Sequence, residues 1–334
     1  MARRTKNDMR KIYLILAIAG IMMTTACSNE NIEPVIPADE ANVTFSVNLS
    51  DIDSRVISDG TTVDQLVFAV YDNEGNEIPA LRQNNVAVSN RQAIVTTRVA
   101  MGQKYSFAFW AQKGGNTFYN TTNLKDVVVS YVGEANDENR DAFTASFTID
   151  KVTGPINETI TLYRPFAQVD FVCDIEEWTK LMNASYKLVG SNLVVDAGAY
   201  THYNVLTGEA SASTTAPITF ALSNWWYDNY DDINGFCSFV STRNGDGYDN
   251  LCPTTDGDKF WLSMNYILAT PQVTNLGHSV MNIYGLKNYN PTPVPIELNE
   301  IPIQRNHRTV IHVSDLTTTV SLIIEIDPNM SGDL

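Results

Sequence analysis

The stretch VTFSVNL, Val43–Leu49, indicates the fold of the chain. Every second side chain in it is apolar, and the positions between hold Thr, Ser or Asn. The apolar positions are Val43, Phe45, Val47 and Leu49. Because successive side chains of a strand point to opposite faces, this period of two is typical of a strand with one face in a core and the other in water. We therefore predict a half-buried β-strand here.

Short patterns of the same kind recur along the rest of the chain. They include QLVFAVY, KYSFAFW, AFTASFTI, AQVDFVC, KFWLSMNYIL, HRTVIHV and TVSLIIEI. Turn residues separate them at intervals of roughly 8–12 residues, which is typical of antiparallel β-sandwiches. Only DIEEWTKLM, Asp174–Met182, has the pattern of a helix. We predict an all-β fold of antiparallel sheets, divided into two β-sandwich domains at residues 42–162 and 163–334.

Residues 1–26 have the parts of an export signal. A basic region comes first, made of Arg3, Arg4, Lys6, Arg10 and Lys11. The apolar run Ile12–Met23 follows, and it is shorter than the roughly 20 residues that a helix needs to cross a bilayer. That length is typical of a cleaved signal peptide. We expect the mature protein to be exported.

The signal ends in TTAC, which resembles the cleavage motif of bacterial lipoproteins. Ala26 precedes Cys27, although Thr24 stands where such motifs usually have leucine. We predict lipidation of Cys27, since two or more acyl chains would hold the protein stably at a membrane. The alternative is ordinary secretory cleavage near Ala26 with Cys27 as an incidental thiol. Residues 27–41, rich in proline and acidic groups, are predicted to form a tether.

The charge of the chain restricts its partners. The formal net charge is −16, and the first 26 residues carry five basic groups and one acid, which leaves −20 for the remainder. Nucleic-acid binding needs clustered Lys and Arg, and docking on anionic lipid needs basic patches. We therefore predict an acidic, exported, globular protein with no nucleic-acid partner. The predicted lipidation of Cys27, in turn, leads us to expect a location at the outer membrane or cell surface.

The sequence contains none of the common catalytic or cofactor motifs. It has four histidines but no HExxH pair, no CxxC, no GxSxG, no P-loop and no GxGxxG opening a helix. We predict a non-enzymatic protein with no cofactor and no metal. An enzyme on a β-sandwich scaffold stays a minor alternative, because catalytic triads are recognised by geometry rather than by sequence.

The stretch NWWYDNYDDINGF, Asn224–Phe236, places aromatic residues among aspartates. Trp225, Trp226 and Tyr227 form a candidate platform for stacking on a sugar ring, and this makes a surface glycan-binding lipoprotein the alternative function. The other interpretation is a long loop whose aromatic rings fold back on the sandwich. We favour the loop because aromatic side chains bury large areas.

The loop 224–250 also raises the questions of calcium and of a disulfide. Arg243–Asn250 resembles a calcium loop, but Thr255 stands where the twelfth position needs a bidentate glutamate, so calcium binding is left open. Cys237 and Cys252 would be able to pair outside the cytoplasm, although sequence cannot settle the pairing. Cys173, within an apolar run, is predicted to be a buried small hydrophobe.

Three stretches resemble the fimbrillin family, the lipoprotein-exported subunits of type V pili. They are NVTFSVNLSDIDSRVISDGTTVDQLVFAVYD at 42–72, LYRPFAQVDF at 162–171 and IPIQRNHRTVIHVSDLTTTVSLIIEIDP at 301–328. The resemblance covers both ends and the middle junction, and the region from about 180 to 290 does not match. It implies two transthyretin-like β-sandwiches and a role in adhesion and biofilm formation, with other pilus subunits as partners and an unknown surface ligand.

The resemblance also implies maturation by proteolysis. Arg55, the one basic residue of LSDIDSRVISDG, corresponds to the cleavage site of an arginine-specific protease, with Val56 as the new N-terminus. Cleavage removes the first strand with Val43, Phe45, Val47 and Leu49, and burial of each such side chain is worth roughly 1.5–3 kcal/mol. A subunit cut in this way must refill its groove. The alternative is that Arg55 is an ordinary loop residue.

The last strand is the candidate donor for such a groove. Its alternating apolar residues are Val320, Leu322, Ile324 and Ile326. A neighbouring subunit that supplied this strand would add main-chain hydrogen bonds and seat the alternate side chains in pockets. The strand would otherwise complete its own domain, as in a tip or anchor subunit, so the position in a pilus is left open.

Overall fold

A computed structural model describes residues 39–50, 60–131, 138–174, 176, 187–224, 259–287, 290–314 and 321–327. All of them belong to the unit Asp39–Leu334. Over these ranges the regular structure is almost entirely β-strand, with short 3-10 turns at Pro79–Leu81 and Glu138–Arg140. The prediction of an all-β fold built from antiparallel sheets is confirmed.

The strands are numbered in chain order over the described residues. Those before residue 163 are β1 (Glu40–Leu49), β2 (Gln65–Tyr71), β3 (Gln83–Ala87), β4 (Gln92–Ala100), β5 (Tyr105–Gln112), β6 (Tyr119–Asn120), β7 (Val127–Val129), β8 (Ala142–Ile149) and β9 (Ile156–Leu162). Those after it are β10 (Phe166–Asp174), β11 (Lys187–Val195), β12 (Tyr200–Asn204), β13 (Glu209–Ser213), β14 (Ile218–Asn224), β15 (Lys259–Leu268), β16 (Thr274–Leu276), β17 (Ser279–Lys287), β18 (Asn290–Leu298), β19 (Ile301–Ile303), β20 (Arg308–Ser314) and β21 (Ser321–Asp327).

Hydrogen bonds join the described strands into five sheets. The first half of the chain forms a three-stranded sheet in the order β4-β1-β9 and a four-stranded sheet in the order β3-β2-β5-β8. The largest sheet runs β21-β20-β10-β15-β12-β7-β6, with β13 paired to β12. A sheet in the order β14-β11-β17-β18 and the pair β16-β19 complete the set. Most neighbours are antiparallel, but β1 with β9 and β10 with β20 are parallel.

The first hydrophobic core lies between the three-stranded and four-stranded sheets. Phe45 of β1 is 0% exposed, and its ring packs against Phe107, Phe109 and Phe147 with centroid separations of 5.0, 5.1 and 5.7 Å. These contacts are edge-on, which is a favoured geometry for aromatic pairs. β1 has the predicted alternation in the structure. Its apolar face is buried, and Asn42 and Ser46 on the opposite face are exposed.

The two central strands of the four-stranded sheet, β2 and β5, are buried on both faces, which explains the unbroken apolar run of β2. Leu66, Phe68 and Val70 point into the first core. Val67, Ala69 and Tyr71, together with Trp110 of β5, belong to a second core that is otherwise formed mainly by the later strands. A strand covered on both sides needs apolar residues at consecutive positions, so its sequence has no period of two.

The buried carboxylate of Asp170 in the second core is hydrogen-bonded to two polar side chains. Asp170, at the centre of β10, is fully buried, and the Arg308 guanidinium on the neighbouring parallel strand donates a hydrogen bond to it. The Gln168 amide donates to the same carboxylate at 3.0 Å. Because a buried charge without a partner is costly, this cluster fixes the pairing of β10 with β20.

Two strands from the first half of the chain join the large sheet. β7 pairs with β12 through Val127 opposite Tyr203 and Val128 opposite His202. Just after β7, the Tyr131 hydroxyl donates to the Tyr200 carbonyl at 2.5 Å and accepts the Leu268 amide at 3.1 Å. Burial raises the pKa of Tyr131. Residues 119–131 therefore share a sheet with later strands, and the division at residue 162 stays a prediction.

Arg164 and Asp141 form a fully buried ion pair next to that predicted division. The Arg164 Nε lies 2.7 Å from Asp141 Oδ1, and its Nη2 lies 2.6 Å from Oδ2. The guanidinium also stacks on Phe143, 4.3 Å from the ring centroid. The two-point geometry is the strongest form of this interaction. Removing either partner would leave an uncompensated charge, so the pair holds the start of β10 against β8.

Part of the sequence prediction falls outside the description, and one region differs from it. The predicted helix Asp174–Met182 lies outside the described residues, except that Asp174 is the last residue of β10 and Glu176 is helical. β3 and β4 lie where the patterns above predict no strand. β3 has the sequence QNNVA, in which only the last two residues are apolar, so its pairing with β2 decides its conformation.

The substitution Phe45→Ala tests the importance of β1 to the first core. We expect it to lower the free energy of unfolding by about 3–5 kcal/mol, because it leaves a cavity among four phenylalanine rings. Ser46→Ala, on the exposed face of the same strand, should change it by less than about 0.5 kcal/mol. Denaturant unfolding of both variants measures the difference. Equal losses in the two variants would contradict the assignment of faces.

Candidate functional site

The candidate site suggested by the sequence is the groove between β4 and β9 that β1 fills. β1 is the central strand of its sheet, antiparallel to β4 from Glu40 opposite Ala100 to Asn48 opposite Gln92. On its other side it runs parallel to β9, from Val43 opposite Ile156 to Leu49 opposite Leu162. β4 and β9 contact each other in this sheet only through β1. The strand therefore holds its two neighbours together.

The four side chains predicted to leave with the first strand are all buried. Val43 and Phe45 are 0% exposed, Val47 is 2% exposed and Leu49 is 4% exposed. They face the aromatic residues of β2 and β5 across the first core. Removal of β1 would leave a groove between β4 and β9, with an apolar floor and with unpaired main-chain groups on both sides.

Three hydrogen bonds to main-chain groups of Leu49 and Ser50 hold the C-terminal end of β1. The Leu49 amide donates to the Arg91 carbonyl at 2.9 Å, and the Ser50 amide donates to the Leu162 carbonyl at 2.8 Å. The Arg91 guanidinium donates to the Ser50 carbonyl. Ser50 is itself 2% exposed. We call this set of contacts the Ser50 clamp.

Gly60 lies close to the end of β1. It is buried and has a φ of +72°, a conformation that favours glycine. A Cβ at this position would lie 3.0 Å from Phe143 Cζ and 3.7 Å from Leu49 Cδ1. A side chain at position 60 would therefore be strained and would crowd the Phe143 ring.

Several predicted site residues lie outside the described residues. These are Cys27, Arg55, Val56, Val320, Trp225, Trp226, Tyr227, Cys237 and Cys252. Their predicted roles stay predictions, as do those of the loop 224–250 beyond Asn224. Cys173 is buried in the second core, as predicted, with 1% exposure. Among the described residues, no three His, Cys, Asp or Glu side chains are placed to share a metal ion.

The predicted donor strand forms β21 at the edge of the largest sheet. It pairs antiparallel with β20, from Ser321 opposite Ser314 to Asp327 opposite Arg308. Two of its side chains are poorly covered there, since Ile323 is 63% exposed and Ile324 is 37% exposed. These two isoleucines therefore gain little burial in this position.

Arg91 is the one residue of this site that the sequence analysis misses. It lies in the two-residue turn between Ser89 and Gln92, whose main chains exchange hydrogen bonds of 2.9 and 3.0 Å. Asn90 and Arg91 have φ values of 51° and 63°. In the sequence, the only indication of this turn is the pair Asn90-Arg91, since asparagine favours such turns between two strands. The sequence analysis does not recognise it because it does not predict the flanking strands β3 and β4.

A separate ionisable cluster lies at one end of the sheet that contains β11, β17 and β18. His278 Nδ1 lies 2.7 Å from Asp196 Oδ2, and its Nε2 lies 2.7 Å from Glu297 Oε2. The hydrogen bond with Asp196, followed by that with Glu297, raises the pKa of His278 above its ordinary value. The doubly protonated ring donates to both carboxylates and so links the ends of three adjacent strands. No site beyond this link is evident from its geometry.

The fold defines the chain as an all-β protein of packed, mostly antiparallel sheets. Residues 35–334 match a family of unknown function (DUF6562), and the chain belongs to that family. A comparison with curated proteins found no match. In the described part of the chain, no helix has the length and apolar character needed to cross a membrane.

Several solved structures are similar to the chain. One is a putative cell adhesion protein from Bacteroides ovatus, with 9% identity, a TM-score of 0.48 and coverage of 87% of this chain and 98% of that one. Another is the tip fimbrial protein Mfa3 from Porphyromonas gingivalis with a C-terminal truncation, at 12% identity, a TM-score of 0.45 and coverage of 86% and 99%. A third is a fimbrial assembly protein from Parabacteroides distasonis, at 13% identity, a TM-score of 0.40 and coverage of 86% and 96%. At such identities and TM-scores, these likenesses say nothing about the function of this chain.

The His278 cluster predicts a pH dependence of stability. Because the folded-state pKa is raised above 6.5, protonated His278 contributes stability that is fully present below pH 6.5 and is lost as the pH rises through the folded-state pKa. We expect the melting temperature to fall over this range in the parent and to fall less in His278→Gln. An NMR titration of His278 checks the direction. A pKa at or below 6.5, or identical pH profiles of the two proteins, would contradict the prediction.

Proposed function

We propose that the chain is a subunit of a surface pilus, or a tip or anchor protein of one, which assembles by strand exchange and serves in adhesion. The observation that carries the proposal is the position of β1. It is the central strand of its sheet, its apolar face is fully buried, and its C-terminal end leads directly into the segment that contains Arg55. A single cut there would detach β1 from the rest of the domain.

Export and anchoring come first in the proposed sequence of events. The N-terminal signal directs the chain out of the cytoplasm, and acylation of Cys27 holds it at the outer membrane. Two or more acyl chains are sufficient for stable membrane attachment. The part of the predicted tether that precedes Glu40, where β1 begins, then separates the lipid from the strand. The precursor is folded and closed because β1 fills its own groove.

Hydrolysis of the peptide bond between Arg55 and Val56 is the proposed maturation step. It separates β1, still attached to the lipid, from the body of the subunit. Loss of the four buried side chains of β1 would remove roughly 6–12 kcal/mol of stabilisation by apolar burial, at about 1.5–3 kcal/mol for each side chain. A typical domain has a total stability of only about 5–15 kcal/mol. The open groove is therefore unstable until another strand fills it.

β21 of a neighbouring subunit is the proposed replacement strand. In its own sheet β21 leaves Ile324 partly exposed, whereas the corresponding positions of β1 are 0–4% exposed. Transfer into the groove would bury these residues and would pair both edges of the donor. The gain in buried apolar area is largest when alternate side chains of the donor strand enter the pockets of the groove. This arrangement places Leu322, Ile324 and Ile326 on the buried face.

The geometry of this contact determines the form of the assembly. Each subunit would offer a groove near its N-terminal half and a strand near its C-terminus, so the contact joins two different surfaces. A contact of this head-to-tail kind does not close on itself and produces a filament. A subunit whose β21 stays in its own sheet would instead end the filament as a tip or anchor.

Replacing Arg55 by Ala tests the cleavage step. We expect the variant on the surface of its native host to keep the N-terminus at Cys27, whereas the parent begins at Val56. N-terminal sequencing and intact mass identify the two forms. The ladder of SDS-stable oligomers, which collapses on boiling, should be present for the parent and absent for the variant.

Arg98→Ala is the matched control for this experiment, because Arg98 lies on the exposed face of β4. It should be processed in the same way as the parent. A parent in which residues 39–50 stay covalently joined to Val56 and the rest of the chain would overturn the cleavage, and the chain would then be an unpolymerised, anchored lipoprotein.

Substitutions in β21 test the donor strand. We expect Ile324→Asp to abolish polymerisation of cut subunits, because the carboxylate would be buried in the groove without a partner. Ile323→Asp should polymerise normally, since alternation places residue 323 on the opposite face. The melting temperatures of the uncut variants control for folding. Equal polymerisation of the two variants would argue against β21 as the donor.

A further inference from the structure

The Ser50 clamp gives β1 a fastening that is independent of its side chains. We propose that Arg91 keeps β1 seated after the chain is cut, so that cleavage and loss of the strand are two separate steps. This inference rests on the proposed function, because it concerns the control of the same groove. It assigns Arg91 the role of a positioning residue.

The backbone at Arg91 is kept in an unfavourable conformation. A two-residue hairpin turn of this kind needs positive φ at both central positions, and the usual pair is Asn-Gly. Here Asn90 is followed by arginine, at a φ of 63°, where glycine would be less strained. A residue held in such a conformation indicates that its side chain or carbonyl has a use elsewhere.

Both polar parts of Arg91 contact the end of β1. Its carbonyl accepts the Leu49 amide at 2.9 Å, and its guanidinium donates to the Ser50 carbonyl. The guanidinium supplies a charged donor, and hydrogen bonds from charged donors are stronger than neutral ones. Because Ser50 is 2% exposed, water competes poorly for the same carbonyl. One residue of the turn therefore bonds both the Leu49 amide and the Ser50 carbonyl.

The clamp lies at the end of β1 that a cut would release. After cleavage between residues 51 and 59, β1 stays continuous with the tether on its N-terminal side and has a new free end just beyond Ser50. A strand separates first from its free end, where the fewest contacts must break. The Ser50 clamp fastens that end to the turn through Arg91 and to β9 through Leu162. Separation must therefore begin by breaking the clamp.

The contacts of the clamp involve only the main chain of β1. The Ser50 side chain takes no part, and its hydroxyl has no hydrogen-bond partner in the described structure. An incoming strand of another sequence would present the same amide and carbonyl groups in the same register. The clamp therefore holds any strand that fills the groove, and a replacement must first displace β1 from Arg91.

The experiment uses the full chain with residues 53–58 replaced by the recognition site of a sequence-specific protease. Cutting then does not depend on whether the host cleaves at Arg55, so this test and that of the proposed function fail independently. After cutting, a labelled synthetic peptide of residues 39–50 is added at saturating concentration. The rate at which the body takes up the label measures departure of the resident β1, and gel filtration with intact mass measures its retention.

Arg91→Gly and Arg91→Ala are the two variants, and Ser50→Ala is the control. Both substitutions remove the guanidinium with its aliphatic stem. Glycine also relieves the strain at positive φ, whereas alanine keeps it. We expect both Arg91 variants to exchange β1 about tenfold faster than the parent or more, as for the loss of one charged hydrogen bond. The control should exchange at the parent rate.

Two results would overturn the inference. If Arg91→Ala, which keeps the strain, exchanged β1 at the parent rate, the guanidinium would not hold the strand. If the cut parent lost β1 as soon as the chain was cleaved, cutting and strand loss would be a single step. Circular dichroism of the uncut variants confirms that each is folded before the comparison.

Discussion

The first core depends on one strand that lies between two others which are not paired with each other. β4 and β9 belong to one sheet only because β1 lies between them, antiparallel to the first and parallel to the second. The same strand places Phe45 at the centre of a cluster of phenylalanine rings. The main-chain hydrogen bonds of β1 and the burial of its apolar face thus form together, because both require the strand to lie between β4 and β9.

The second core limits the effect of a change in the first. The central strands β2 and β5 are buried on both faces, and the face that carries Tyr71 and Trp110 packs in the second core, away from β1. The buried pairs Arg164–Asp141 and Arg308–Asp170 lie outside the β1 groove. Under the proposed strand exchange, loss of β1 would leave these contacts in place and would expose one apolar groove for another strand.

Two kinds of contact hold β1, and they differ in what they require. The apolar pockets require alternate apolar side chains, whereas the Ser50 clamp requires only the amide and carbonyl groups of a strand in register. The first kind gives selectivity among strands, and the second fastens one end of whichever strand is present. Arg91 provides the clamp from a strained turn, which is consistent with strain being retained where it supports a function.

The sequence by itself determined the strand character of the chain, because alternation over a few residues depends only on which side chains face a core. It also marked β1, whereas the roles of Cys27 and Arg55 stay predictions. Only the tertiary structure decided that β1 is central and parallel to β9, since pairing joins residues far apart in the chain, where local patterns carry no information. The same holds for Arg91, whose role arises from a left-handed turn formed by β3 and β4, and for the sharing of one sheet by two cores. A buried run such as that of β2 shows that both faces are covered, but the partners on each face are fixed by packing alone.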